Sequence, residues 1–154
     1  MSTRSTLTVR DRKDGNEAYS IYRHSDGYPD TVAGVFATLP QALAYAWPLP
    51  RYEPSDFAAA IVAAWKQPAR AYPGSTYISQ GGNIYLTEGR EAHGDTAYHY
   101  EIWPDGKGRL CVECFLATYP NGYDGRPVWR PYGHPRFLTA KMQPVIARGE
   151  VAAA

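Results

Sequence analysis

The sequence predicts an α+β protein with an antiparallel sheet of about six strands and two helices packed on one face. Alternating patterns typical of strands come in pairs, and two segments with helical apolar spacing lie between the first and second pairs. The predicted order of elements is therefore ββ-αα-ββ-ββ. With 154 residues and no linker-like stretch, we expect a single domain that spans residues 1–154.

The first two strands are predicted to form a hairpin. Apolar and polar side chains alternate in residues 5–10 and again in residues 18–23, where Tyr19 and Ile21 share one face. Residues 11–16, which are rich in charge and contain a glycine, supply the turn between them.

Helical spacing of apolar residues follows Pro29. The stripe runs from Val32 to Trp47, and Pro40 should kink this helix or divide it into two short ones. A second helix is predicted for residues 55–66, whose alanine-rich body favours helix.

The second half of the chain reads as two further hairpins. Residues 76–79 and 84–87 flank a glycine-rich turn, which is a hairpin signal. Residues 97–103 and 110–116 alternate cleanly on either side of a turn that contains proline and two glycines.

Residues 117–136 show no period and are rich in proline, glycine, tyrosine and arginine, so we predict an extended arm or loop there. Interleaved rings and guanidinium groups suit stacking on bases, gripping an acidic partner or a protein contact, but a segment that simply covers the sheet would look the same. The predicted contact residues are Tyr123, Arg126, Trp129 and Arg130. Residues 137–154 are weakly helical in pattern, and residues 150–154 should fray.

Composition narrows the possible partners. A net charge of +1 argues against nucleic acid and anionic membranes, and no apolar run is long enough to span a bilayer. We expect an intracellular protein with two free thiols. Thirteen tyrosines and an excess of arginine over lysine are typical of contact surfaces, although tyrosine is also a common strand residue.

The segment Tyr19–Asp30 is the first candidate site, because a strand ends there and reactive side chains follow. Arg23 offers a planar fork to an anion and His24 a proton, while Asp26 orients them and Gly27 permits the turn. The predicted ligand-binding residues are Arg23, His24, Asp26, Gly27, Tyr28, Tyr22, Trp103 and Arg109. The alternative is an ordinary strand-to-helix turn in which Asp26 bonds its own backbone and the Arg23 side chain is solvated. If the turn is an anion site, Arg23 should hold the ligand and contribute little to fold stability.

Two other groupings could carry chemistry. His99, Glu101 and Glu113 could meet on the polar face of the last hairpin as an acid-base pair or metal ligands, or form only a solvated sheet face. Cys111 and Cys114 have metal-motif spacing, but residues three apart in a strand point to opposite faces. We therefore expect no metal, no cofactor and no assigned catalytic residue.

The stretch Arg4–Asp11, followed by Tyr19–Pro29, resembles a group of small bacteriophage and prophage proteins that begin with an "RSTITV-D" strand and carry "YRHxDGYP" on the next. The resemblance covers about the first 30 residues. It implies a phage-encoded protein acting in the host bacterial cytoplasm, and small phage proteins of this kind often counter host defence.

The leading hypothesis is a non-enzymatic antagonist of host defence that sequesters a small anionic, nucleotide-type signal. The alternative is a protein-binding inhibitor of a bacterial immune effector, comparable to an anti-CRISPR protein. A small hydrolase or transferase using His and carboxylate pairs ranks third. A free sheet edge beside an aromatic arm also makes a homodimer an expectation.

Overall fold

A computed structural model describes residues 3–66 and 84–140 of the chain. Their architecture is α+β: a largely antiparallel sheet carries a layer of helices on one face. The predicted strand at 76–79 and the predicted helix and frayed end beyond residue 140 lie outside the described residues. In the described part, no helix has the length and apolarity to cross a membrane.

The described strands and helices keep the predicted order as far as residue 118, and two further strands follow. The strands are β1 (Ser5–Arg10), β2 (Ala18–Arg23), β3 (Ile84–Thr87), β4 (Tyr98–Pro104), β5 (Leu110–Thr118), β6 (Val128–Pro131) and β7 (Arg136–Leu138). The α-helices are α1 (Val35–Thr38) and α2 (Pro54–Trp65), with 3-10 turns at Leu39–Ala44 and Leu49–Arg51. The α+β class and the helix-covered face are therefore confirmed.

The strand order in space is β3-β2-β1-β4-β5-β6, with β7 also paired to β5. The neighbours are antiparallel except β1 and β4, which run parallel with Ser5 beside Tyr98 and Val9 beside Ile102. The predicted antiparallel sheet is confirmed for the other pairs. The β1–β4 pair departs from it because β3, on the far side of β2, runs in the same direction as β1, and the chain then crosses β2 and β1 to enter β4 in that direction. Strands β6 and β7 continue one another along the outer edge of β5.

The core lies between the sheet and the helices. One face of each central strand supplies it, including Leu7, Ile21 and Ile102, which are completely buried. Phe57 and Ile61 of α2 pack against them from the helix layer. This alternation matches the predicted strand faces, since period-2 patterning decides which side chains enter the core.

The first predicted helix is much shorter than expected. Only Val35–Thr38 is α-helical, and a 3-10 turn follows in which Pro40 occupies the first turn. Val32 is 77% exposed and Trp47 is 40% exposed, so their assignment to an apolar stripe is wrong. Pro40 lacks the N–H that a continued α-helix would need, which explains the change to a tighter turn.

The predicted arm at 117–136 is partly a strand. Strand β5 extends to Thr118, and β6 pairs with its last four residues from Phe115 onward. The interpretation of this segment as aperiodic is therefore wrong for residues 128–131. Its prolines hid the strand, because proline is tolerated on an edge although it breaks an interior ladder.

Candidate functional site

Arg23 lies on the helix side of the sheet and is 5% exposed. Its guanidinium donates to the Thr38 hydroxyl at 3.2 Å and to the Ala33 carbonyl at 2.8 Å, and its centre lies 4.3 Å from the Trp65 ring centroid. The expectation of a solvated Arg23 is wrong, because the helix layer closes over the end of β2. The side chain ties β2 to both helices.

Tyr22 and His24 face the opposite side of the sheet, where residues 3–66 and 84–140 place no helix, and we call it the helix-free face. The Tyr22 ring stacks on His93 with centroids 3.9 Å apart, and its hydroxyl lies 3.1 Å from His24 Nδ1. Arg4 Nε also donates to His24 Nδ1, at 3.4 Å. Burial raises the pKa of Tyr22. The sheet therefore separates Arg23 from its two predicted co-ligands.

Gly27 docks the turn onto the start of β1. Its N–H donates to the Thr3 carbonyl at 2.9 Å, and its own carbonyl accepts from the Tyr100 hydroxyl at 2.7 Å. A Cβ at this position would lie 2.7 Å from the Thr3 oxygen, so only glycine fits without a shift. Asp26 precedes it with a positive φ of 59°. Both residues thus shape the turn.

Trp103 and Arg109 lie at the other end of the sheet, about 15 Å along the strands from Arg23, as the register of β1 with its neighbours requires. Arg109 Nε donates to Asp105 at 2.6 Å and covers the Phe137 ring at 4.0 Å. Trp103 is buried on the helix-free face. The predicted ligand-binding residues are therefore not brought together in one place.

A buried polar network crosses β1 and β4 on the helix-free face. Thr6 Oγ1 lies 2.8 Å from His99 Nδ1, and His99 Nε2 lies 3.3 Å from Glu101 Oε2. Arg10 Nε donates to Glu101 Oε1 at 3.0 Å. A hydroxyl, an imidazole and a carboxylate in this order are the components of an activated nucleophile and its base. Thr6 is 0% and His99 1% exposed, however, so neither side chain is accessible from solvent.

Burial sets the protonation of this network. It lowers the pKa of His99, although the nearby Glu101 carboxylate opposes the shift. Burial would raise the pKa of Glu101, but its contacts with His99 and Arg10 outweigh that effect and bring the pKa below its ordinary value. The network therefore holds a carboxylate and a guanidinium around a neutral imidazole near pH 7.

Glu113 and the cysteines complete the second predicted grouping. Glu113 lies directly opposite Glu101, so His99 and both glutamates share one face of the sheet. Within residues 3–66 and 84–140, no group of three or more His, Cys, Asp or Glu side chains could hold a metal ion. Cys111 pairs with Trp103 and Cys114 with Tyr100, so the prediction that the two thiols face opposite ways is confirmed.

Three tyrosines converge at the helix-side face beside β6, and we call them the tyrosine cluster: Tyr28, Tyr98 and Tyr132. The Tyr98 ring lies 5.9 Å from Tyr28 at 58° and 5.6 Å from Tyr132 at 81°. Tyr28 is 44% and Tyr132 40% exposed, whereas Tyr98 is half-buried and burial raises its pKa. Half-buried Tyr98 thus supports two exposed rings.

Sequence reasoning assigned Tyr28 to a ligand and counted Tyr132 among the interleaved rings of residues 117–136, but it did not bring either of them together with Tyr98. Tyr98 begins β4, and Tyr132 follows β6 and donates its N–H to the Cys114 carbonyl at 2.8 Å. The two-residue spacing of Arg130 and Tyr132 was the available signal, since side chains two apart in a strand share a face. Arg130 therefore lies on the same face as the cluster.

The remaining predicted contacts divide between exposed and packed positions. Tyr123 is 71% exposed and Arg126 is also exposed. Trp129 turns to the helix-free face, where its ring lies 5.7 Å from His99 and 5.3 Å from the Arg90 guanidinium. Trp129 therefore anchors β6, while Arg130 remains exposed.

An open depression of about 540 Å³ lies in the loop before β4. Its lining consists of Glu88, Gly89, Arg90, Glu91 and Ala92. Two carboxylates surround a single guanidinium there, so the depression does not favour an anionic ligand.

No family model, curated protein or solved structure matches the chain. The choice of site consequently rests on the geometry of the described residues. Of the arrangements found there, the tyrosine cluster combines exposed aromatic rings with a neighbouring exposed arginine, and it is the candidate site that we carry forward.

Proposed function

We propose that this protein is a non-catalytic antagonist that binds a protein partner through the tyrosine cluster and strand β6. The observation that carries this proposal is the pair of exposed rings of Tyr28 and Tyr132, both braced by Tyr98. Tyrosine and arginine dominate the energetics of protein interfaces, because they offer large contact areas with a polar end. Rings held by a half-buried neighbour also lose little freedom on binding.

Burial argues against the enzymatic alternative. A general base must come within hydrogen-bonding reach of the proton that it removes. His99 and Thr6 are closed off between the sheet, Trp129 and Phe115. The network instead joins β1 to β4, the two strands that pair in parallel.

The class of partner follows from the resemblance of the first 30 residues to small phage proteins. That resemblance implies a role against host defence, so we propose a bacterial immune effector as the target. A protein of this kind needs a contact surface and no catalytic group, which agrees with an exposed cluster and a buried histidine.

Affinity capture from bacterial lysate, with quantitative mass spectrometry, tests the proposal. The wild type and Tyr19→Ala should retain the same partner, whereas the double variant Tyr28→Ala and Tyr132→Ala should lose it. Tyr19 is a matched control because it is 38% exposed but lies near Val9 at the far end of the sheet. Each hot-spot ring should contribute about 2 kcal/mol or more, roughly 30-fold in affinity.

Circular dichroism should show that the double variant remains folded, since both rings are exposed. A partner retained equally by the wild type and the double variant would place the contact elsewhere. The absence of any enriched protein would reject the proposal.

A second candidate is sequestration of a small nucleotide-type anion at the same place. Two exposed rings could stack on a base, and Arg130 on the same face could reach a phosphate. Calorimetry against cyclic and ADP-ribose-type nucleotides should then show micromolar or tighter binding that the double variant loses. Binding weaker than about micromolar for every member would remove this candidate.

A further inference from the structure

We infer that the partner surface bound by the tyrosine cluster and β6 is acidic, an inference that rests on the proposed function. The segment 117–137 contains Arg126, Arg130 and Arg136 but one acidic residue, Asp124, a balance of three positive charges to one negative. Arg136 is paired with Asp30, two residues from Tyr28, so the positive excess of this segment consists of Arg126 and Arg130 against Asp124.

Within residues 3–66 and 84–140, Arg126 and Arg130 have neither a carboxylate partner nor an aromatic ring beneath the guanidinium, whereas the exposed Arg51 and Arg90, which also lack a carboxylate, stack on Trp47 and Trp129. In the described part of the chain, Arg4 pairs with Asp95, Arg12 with Asp11, and Arg109 with Asp105. Arg136 pairs with Asp30. Arg130 thus remains available to a partner carboxylate on the face of the exposed rings, and Arg126 is available two residues before β6, where bidentate pairing adds specificity.

Side chains, and not backbone strand pairing, should make this contact. The Tyr132 N–H points toward β5, where it donates to the Cys114 carbonyl. Backbone N–H groups of an antiparallel strand point alternately to its two sides, so the nitrogen of Pro131 faces away from β5, on the open edge of the sheet. Proline has no N–H to offer, and Pro127 and Pro135 flank the same edge. A strand added at this edge would lack some of the backbone N–H donors that it needs for pairing, and natural sheet edges avoid unwanted pairing in this way.

An acidic protein fits this surface better than a nucleic acid does. Among the residues that the structure describes, the segment 117–137 has two unpaired arginines, so few phosphates could be neutralised there and little counterion release would drive binding. Val128 and Tyr123 are 45% and 71% exposed at the same edge and suit apolar contact with a protein. Carboxylates would meet the arginines while apolar groups of the partner cover the rings.

Selection of random dodecapeptides displayed on phage, with the full chain as bait, tests the inference. Peptides that bind the wild type but not Tyr28→Ala/Tyr132→Ala should be enriched in Asp and Glu. Their affinity should fall about tenfold in Arg126→Ala/Arg130→Ala and should weaken as salt rises. Arg12→Ala is the matched control, because Arg12 is also exposed but lies on the first hairpin, away from β6.

The outcomes separate the two proposals. Cluster-dependent peptides without acidic enrichment, or with unchanged affinity in the double arginine variant, would overturn the acidic partner and leave the contact surface intact. Failure to select any cluster-dependent peptide would overturn both. Oligonucleotides are measured in parallel by fluorescence anisotropy, and tighter, arginine-dependent binding to them would assign the surface to nucleic acid instead.

Discussion

At the scale of single residues, Arg23 is a buried cation that joins three elements. Its replacement by alanine should lower the free energy of unfolding by about 2–4 kcal/mol, because the Ala33 carbonyl and Thr38 hydroxyl lose a charged donor and Trp65 loses a stacked guanidinium. Urea denaturation followed by circular dichroism measures this. Arg23→Lys should recover only part, since lysine lacks the planar fork.

Arg12 gives the matched control for that experiment. Its side chain is 70% exposed and pairs with the adjacent Asp11, so Arg12→Ala should change the unfolding free energy by less than about 0.5 kcal/mol. Equal effects of the two substitutions would show that the contacts of Arg23 carry no net stabilisation.

His99 should make stability dependent on pH. Its pKa in the folded state lies below the ordinary value of 6.5, so the unfolded chain takes up a proton first as the pH falls. The contribution of His99 is complete above about pH 6.5, declines below it by at most about 1.4 kcal/mol per pH unit, and levels off below the folded-state pKa. The Glu101 contribution is lost only at lower pH, below its ordinary value of 4.5.

The pH dependence of the unfolding free energy is compared between the wild type and His99→Gln, because the difference separates the contribution of His99 from that of the other histidines. Glutamine can still hydrogen-bond to Thr6 but does not titrate, so its stability should change less between about pH 7 and about pH 5. Urea midpoints across that range provide the measurement. Parallel curves for the two proteins would contradict a depressed His99 pKa.

At the scale of elements, the turn between β2 and α1 depends on Gly27. In Gly27→Ala the new Cβ would meet the Thr3 carbonyl and the Ser5 side chain at 2.7–2.8 Å, and the turn would have to move away from β1. We expect a loss of about 1–3 kcal/mol in unfolding free energy. Gly89→Ala is the control, since nothing lies within 4 Å of its Cβ, and thermal unfolding of both variants decides the matter.

Element prediction succeeded where local patterning decides structure. Residues 98–104 and 110–118 form a hairpin because their alternation and the intervening turn agree with one another. The pattern after Pro29 was misleading, since proline at position 40 permits only short helical turns, and Val32 lies in the turn before α1, where it is exposed. Strand β6 was missed because its strand character comes from pairing with β5 and not from its own sequence.

At the scale of the whole molecule, the sequence could not show which distant segments meet. The parallel contact of β1 with β4 joins residues about 90 positions apart, and it alone places His99 beside Thr6. The tyrosine cluster likewise combines residues from a turn, from the start of β4 and from the end of β6. Such sites depend on topology, which local periodicity does not encode.

The two thiols should report on unequal stability across the molecule. Cys114 lies in the core with its pKa raised to about 12 by burial, whereas Cys111 lies on the helix-free face opposite Phe137 of the short edge strand β7. Opening β7 alone would expose Cys111, but Cys114 should become reactive only when the core opens. Each thiol is measured alone, Cys111 in Cys114→Ser and Cys114 in Cys111→Ser. Under conditions that favour the folded state, Cys111 should react with a thiol reagent at least about tenfold faster than Cys114.

The two variants must first show similar unfolding midpoints, so that the difference in reaction rate reports local opening. Equal rates that both follow global unfolding would mean that β7 and the core open together, and that the edge beside the contact surface is as stable as the centre of the sheet.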